Sequence, residues 1–182
     1  PIVGQELRQK GLAATVLSLI GLLIYLGARF QLAFGVGAVV ATIHDLLITL
    51  AFLAFFRYDM SLNVIAAILT MTGFSTNDTI VIFDRIREIK GKTPHLTTKL
   101  VNDAINQTLS RTILTALTAW LVVVILYILG GEGLHGFAFA LVVGFLSGTY
   151  STVYIATPIL IDWVGTKSEP SATAGAKGKL AT

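Results

Sequence analysis

Apolar residues fall into five runs, at residues 11–28, 30–56, 62–83, 112–129 and 136–164, each closed by a charged residue or a glycine. A helix needs about 20 mainly apolar residues to cross the hydrocarbon of a bilayer, so the pattern predicts five transmembrane helices. A different pattern separates the third run from the fourth. After a breaker at Gly91, Thr93 and Pro94 read as an N-cap followed by proline at the first helical position. Over about residues 94–109, Leu96, Leu100, Val101, Ala104, Ile105 and Leu109 then recur at helical spacing, with Lys99, Asn102, Asp103 and Asn106 opposite. That spacing predicts an amphipathic helix lying on the membrane surface. Residues 1–10 form a short polar lead, and residues 165–182, small and polar, are expected to be disordered. The fold class is an all-α integral membrane protein: a bundle of five transmembrane helices plus a cytoplasmic amphipathic helix.

The fifth run carries Gly136, Ala140, Gly144 and Gly148 at intervals of four, continued by Thr152 and Ala156. Such a stripe of small residues lets a second helix backbone approach closely, within this chain or in a partner. Pro158 is expected to kink the end of that run. On the fourth run, Thr108, Arg111, Thr115 and Thr118 line one face, a polar stripe with a cation at its foot.

Composition agrees with the pattern: 54% of the residues are hydrophobic and 13% charged, with a mean hydropathy of +0.80. The net charge of +3 would suggest nucleic acid in a soluble chain. Here the basic residues cluster at the ends of apolar runs, where they report orientation, and no nucleic-acid role follows. Ten lysines and arginines (Arg29, Arg85, Arg87, Lys90, Lys92, Lys99, Arg111, Lys167, Lys177, Lys179) fall on one side, against Arg8, Lys10 and Arg57 on the other. The ten mark the cytoplasmic face, so the N-terminus is expected outside and the C-terminus inside. With no cysteine, disulfides, thiolate metal sites and cysteine nucleophiles are excluded. With its start at Pro1, without Met or a signal-peptide pattern, the chain is expected to be a piece of something longer.

The candidate chemistry lies in the third run, where Ser75, Thr76, Asn77 and Asp78 interrupt the apolar residues before the charged exit at Asp84, Arg85, Arg87, Glu88 and Lys90. An aspartate at the centre of a membrane helix costs roughly 2.5–3.5 kcal/mol, so it needs a partner, a proton or water. Thr76 and Thr79 can bond back to their own helix, whereas Asp78 cannot. Its polar face would be costly against lipid, and a second, pseudo-symmetric bundle is expected to cover it. Arg111, at the foot of the fourth run, is a candidate charge modulator, although an arginine there also fits a plain snorkelling anchor about 10 Å shallower than the carboxylate. His44 and Asp45 fit a packing pair or a proton relay, and Thr115 and Thr118 fit helix contacts or polar ligands. Asn77, Thr79, His44, Asp45 and Thr115 form the supporting polar network. Serine, histidine and aspartate all occur in the spans, yet no G-x-S-x-G setting accompanies them, which disfavours an intramembrane hydrolase.

These residues carry a resemblance. Pro1-Ile2-Val3-Gly4-Gln5-Glu6-Leu7 looks like the end of a VGPxVGxEL motif, His44-Asp45 like the HD of the next helix, and Gly73 to Arg87 (GFSTNDTIVIFDRIR) like the most diagnostic block of the protein-export subunit SecF, with Thr108 to Thr112 (TLSRT) also fitting. The chain thus resembles the C-terminal region of SecF, or the SecF half of a fused SecDF. The resemblance implies half of a pseudo-symmetric transmembrane domain of the resistance-nodulation-division (RND) type in the bacterial cytoplasmic (inner) membrane. It implies no enzyme, metal or other cofactor, but protons as the coupling ion, with Asp78 and Arg111 in proton translocation. The implied partners are a SecD-type subunit or half, the SecYEG translocon, and exported preproteins through a periplasmic domain preceding Pro1. The alternative is a non-transporting scaffold that stabilises a translocon or partner subunit.

Overall fold

The computed structural model describes residues 2–29, 32–91 and 96–164. Its regular segments are helical: α1 (Ile2–Arg29), α2 (Leu32–Phe55), α3 (Leu62–Lys90), α4 (Thr98–Leu129), α5 (Glu132–Ser151), a π-helical turn (Thr152–Ala156) and α6 (Thr157–Val164). Five stretches are long and apolar enough to cross a membrane, the fifth running through α5, the π-turn and α6. The outer surface is apolar as well. Leu17, Ile24, Leu47, Phe55, Leu114, Val122, Ile128 and Trp163 are all exposed, a surface suited to lipid and not to water.

Two elements differ from the sequence expectation. Residues 94–109 and 112–129 do not form a surface helix and a separate span. The described part is one 32-residue rod, α4, about 48 Å long at 1.5 Å per residue. Its apolar face meets protein instead of lipid headgroups, because Val101 and Ala104 are buried with Ile82, Phe83, Ile86 and Leu160. Thr97 caps it by accepting the Leu100 N–H at 3.3 Å. The expected start at Thr93 and Pro94 lies outside the described residues, as does the tail from residue 165. In the fifth stretch the irregularity precedes Pro158, as a π-turn at Thr152–Ala156. Proline has no N–H and its ring crowds the carbonyl four residues back, here Tyr154, so a widened turn just ahead of it relieves the crowding.

The interior is layered. One apolar cluster gathers Leu26, Phe34, Ala38, Ile82, Phe83, Ile86, Val101, Ala104, Ala156 and Leu160 at the end bearing the charged exit of α3. A second gathers Leu53, Val64, Ala67, Ile68, Met71, Val123, Ala138, Leu141 and Phe145 at the opposite end. Between them, by position along each helix, runs a buried polar layer: Thr42, Asp45 and Thr49 on α2, Thr72, Ser75, Thr76, Asp78 and Thr79 on α3, Thr108 and Thr112 on α4, and Ser147, Ser151 and Thr152 on α5 and the π-turn. Beyond the second cluster, the hydroxyls of Tyr58 and Tyr127 lie 3.1 Å apart. That hydrogen bond, reinforced by burial, pushes the Tyr58 phenol up to about 12, so that phenol stays uncharged at neutral pH.

The stripe of small residues on α5 lies against α3. A Cβ at Gly144 would come within 2.3 Å of Cγ and Sδ of Met71, at Gly148 within 3.0 Å of Cβ of Ser75, and at Gly136 within 3.0 Å of Cγ2 of Val64. Met71 cannot swing aside freely, since it is fully buried and Thr49 donates to its sulfur at 3.1 Å. Overpacking a site of this kind costs about 1–3 kcal/mol. Gly144→Leu is therefore expected to lower the melting temperature in detergent, whereas Gly21→Leu, with nothing within 4 Å, should not. Equal melting of the two variants would remove the stripe from the helix contact.

Candidate functional site

Two buried carboxylates occupy the polar layer, in opposite circumstances. Asp45 is fully buried and accepts hydrogen bonds from three serine hydroxyls on two other helices. Ser75 and Ser151 donate to Oδ2 at 2.6 Å and 2.7 Å, and Ser147 donates to Oδ1 at 2.7 Å. His44 Nδ1 lies 3.2 Å from Oδ1, with a third of its side chain exposed. Asp45 thus ties α2 to α3 and α5, with its oxygens saturated as a buried carboxylate requires. One turn further along α3, Thr79 lies 3.0 Å from the Thr152 hydroxyl, which extends the polar contact into the π-turn.

Asp78 is equally enclosed, at 3% exposure, yet its Oδ2 has no hydrogen-bond partner among the described residues. The chain's own helices shield it, so lipid exposure of Asp78 is not what calls for a second bundle. Among the described residues, Asn77, Arg111, Thr115 and Thr118 are polar positions near this layer that lie at the chain's surface. Thr76 and Thr79 bond back to the carbonyls of Thr72 and Ser75, the local escape that an aspartate lacks. Arg111, on the neighbouring α4, is the candidate cation within reach of Asp78.

The register of α3 and α4 explains that reach. Arg85 Nε donates to Gln107 Oε1 at 2.8 Å, which sets these positions side by side on antiparallel helices. Seven residues back along α3 is Asp78, and seven residues on along α4 is Leu114. Arg111 therefore lies within about 5 Å of the level of Asp78 along the axis, not 10 Å shallower. Arg85 and Asp78, seven apart, also share a face of α3. A cavity of about 380 Å³ opens there, lined by Tyr25, Ile80, Val81, Asp84, Arg85, Glu88, Thr108 and Arg111. It is an open recess whose charged and hydroxyl groups, Asp84, Arg85, Glu88, Thr108 and Arg111, lie on the two helices that carry Asp78 and Thr112.

The expected residues thus divide. His44 and Asp45 join the serine cluster, Thr79 bridges α3 to the π-turn, and Asp78 and Arg111 share the α3–α4 side. Asn77 points to the chain's exterior, and the Thr115 hydroxyl is engaged with the Arg111 carbonyl at 2.9 Å. Gly136, Gly144 and Gly148 lie against α3, with Ala140 buried between them. Ser147 and Ser151 escaped the sequence reading, and Thr152 entered it only as a small residue of the packing stripe. The available signal was a pair of serines four residues apart in an apolar span, which a buried aspartate elsewhere in the bundle could use as donors.

Comparison with known proteins places this geometry. Residues 1–166 match the model of the family "Protein export membrane protein SecD/SecF, C-terminal". The chain is 51% identical over 169 residues to protein translocase subunit SecF of Koribacter versatilis, covering 91% of this chain and 42% of that protein. It is 46% identical over 174 residues to SecF of Desulfurispirillum indicum, covering 93% and 55%. The chain therefore spans about half the length of these relatives. A crystal structure of SecDF from Thermus thermophilus, a translocon-associated membrane protein, superposes with a TM-score of 0.84 at 41% identity over 90% of this chain and 23% of that one. SecDF in a super-membrane-facing form gives 0.80 at 42% identity, over 87% and 22%. Five apolar helices in the SecDF arrangement, and a sequence match that runs through all of them, establish that the chain belongs to the SecD/SecF C-terminal family of protein export membrane proteins.

Proposed function

We propose that this chain is the membrane part of a Sec export subunit that uses the proton motive force to assist protein translocation across the bacterial cytoplasmic membrane. The observation that carries this reading is the buried, unpartnered Oδ2 of Asp78 at the level of Arg111. A carboxyl group in that position changes its net interaction with the guanidinium each time it gains or loses a proton. If α4 shifts relative to α3, the separation between the two changes, and with it the proton affinity of Asp78, which makes the site a carrier. One charge moved through the full membrane potential is worth about 2.3 kcal/mol per 100 mV, enough to bias a conformational equilibrium more than tenfold. No metal or organic cofactor enters this scheme.

The names of the relatives support the setting: SecF translocase subunits, and a SecDF described as translocon-associated. A SecD-type half would cover the polar positions left at the surface, and SecYEG with its exported preproteins would be engaged through a periplasmic domain. A scaffold role is the second reading, favoured by the Asp45 cluster, which serves cohesion whether or not protons move. Asp78→Asn keeps size and polarity but cannot titrate. In the complete complex it is expected to leave assembly intact and abolish proton-dependent stimulation of export; near-normal stimulation would leave the scaffold.

The charge count supports a topology with the N-terminal end outside and the C-terminal end in the cytoplasm. Single cysteines at Lys92 and Glu132 should react with an impermeant maleimide from opposite sides of the membrane. Labelling of both from one side would overturn that topology.

A further inference from the structure

The hydroxyl of Thr112 has no function in the scheme so far, and its setting is unusual for this molecule. Thr42, Thr72, Thr76, Thr108 and Thr152 each donate to the carbonyl four residues earlier, the ordinary way to hide a hydroxyl in an apolar helix. Thr112 sits in the same helical setting at 2% exposure, one turn beyond Thr108 in the same buried stripe. Its Oγ1 nevertheless has no partner among the described residues. Among the described residues, the other buried oxygen left without a partner is Oδ2 of Asp78, and the remaining orphan is the Trp120 ring nitrogen.

The two oxygens belong to neighbouring helices and to the same layer. The Arg85–Gln107 contact puts Asp78 opposite Leu114, so Thr112 is about 3 Å from that level along the axis. Thr108 and Arg111, on the same stretch of α4, line the polar cavity beside Asp84 and Arg85. We propose that Thr112 is a positioning residue for the proton step, pairing with the carboxyl group of Asp78 when α4 closes on α3. This rests on the reading of Asp78 as the proton carrier.

The chemistry suits a hydroxyl. Ionised, Asp78 only accepts, and the Thr112 O–H donates to it; protonated, Asp78 carries an O–H, and the Thr112 oxygen accepts. A proton arriving as hydronium through the cavity forms one O–H bond on Asp78 and leaves a water molecule. The hydroxyl follows by turning about its C–O bond, with no movement of backbone. The charged or titratable groups around the site are Arg111 on α4, Asp84, Arg85 and Glu88 on α3, and Tyr25 on α1, all lining the cavity. His44 and Asp45 on α2 lie on the Ser75 side of α3, and the α5 groups in the layer are hydroxyls.

The test is infrared difference spectroscopy between acidic and neutral pH on the complete complex in lipid. The carboxylic C=O band of Asp78 is identified by its loss in Asp78→Asn. In Thr112→Val that band should move to higher frequency and the proton affinity of Asp78 should rise about fivefold, the margin by which a hydrogen bond to the ionised carboxylate exceeds one to the neutral acid. Thr112→Ser should restore both. Thr112→Val is expected to fold, since the hydroxyl it removes makes no bond in this structure, and Thr112→Ala provides the same deletion with a smaller side chain. A band and titration in both deletions indistinguishable from wild type would overturn the pairing and leave the carrier reading standing. A spectrum with no band that Asp78→Asn removes would overturn both.

Discussion

Hydrocarbon offers a polar side chain nothing to bond to, so every polar group that a membrane helix carries inward must find its partner within the protein. This bundle meets the constraint with a polar layer held between two apolar clusters, and the layer is uneven. Asp45 saturates both oxygens with serine hydroxyls from two other helices. Asp78, one turn from Ser75, leaves an oxygen with none. An unmade hydrogen bond to a buried polar group costs about 1–3 kcal/mol, and an acid left so in a membrane span is the natural candidate for a functional group.

The distribution of ties follows the same division. α2, α3 and α5 are joined through Asp45, through the Thr79–Thr152 contact and through the close approach of Gly144 and Gly148 to α3. α4 is held by polar contacts at two well-separated levels, Arg85 with Gln107 at one and Tyr58 with Tyr127 at the other. Between those levels its threonines at 108, 115 and 118 bond to their own helix, and Thr112 has no partner among the described residues. α2, α3 and α5 are thus tied by buried polar contacts within the layer, whereas α4 joins that layer through apolar packing; the proposed proton step draws on that difference.

The five spans were legible because about 20 apolar residues between charges leave few alternatives in a chain of this composition. Asp78 was legible because a lone acid in such a run has no bland explanation at low cost. The depth of Arg111 was not. A cation after a polar stretch reads as a membrane boundary, and only the side-by-side packing of Arg85 and Gln107 reveals that the helix continues past it. The weight carried by Asp45 was hidden for a related reason: its three donors are 30, 102 and 106 residues away, and no local periodicity links them. The resemblance of residues 73–87 to SecF supplied the family before any of this geometry was available. Pro158 signalled a disturbance, but its form as a π-turn beginning at Thr152 depends on packing against α3.

The central claim is that the two buried carboxylates differ in kind, Asp45 fixing the bundle and Asp78 exchanging a proton. Proton flux through the complete complex reconstituted in liposomes, under an imposed membrane potential, separates them most directly. The account predicts that flux disappears in Asp78→Asn and persists in Asp45→Asn, whose amide oxygen and nitrogen can still bond the serine hydroxyls. Loss of flux in Asp45→Asn with flux retained in Asp78→Asn would contradict it.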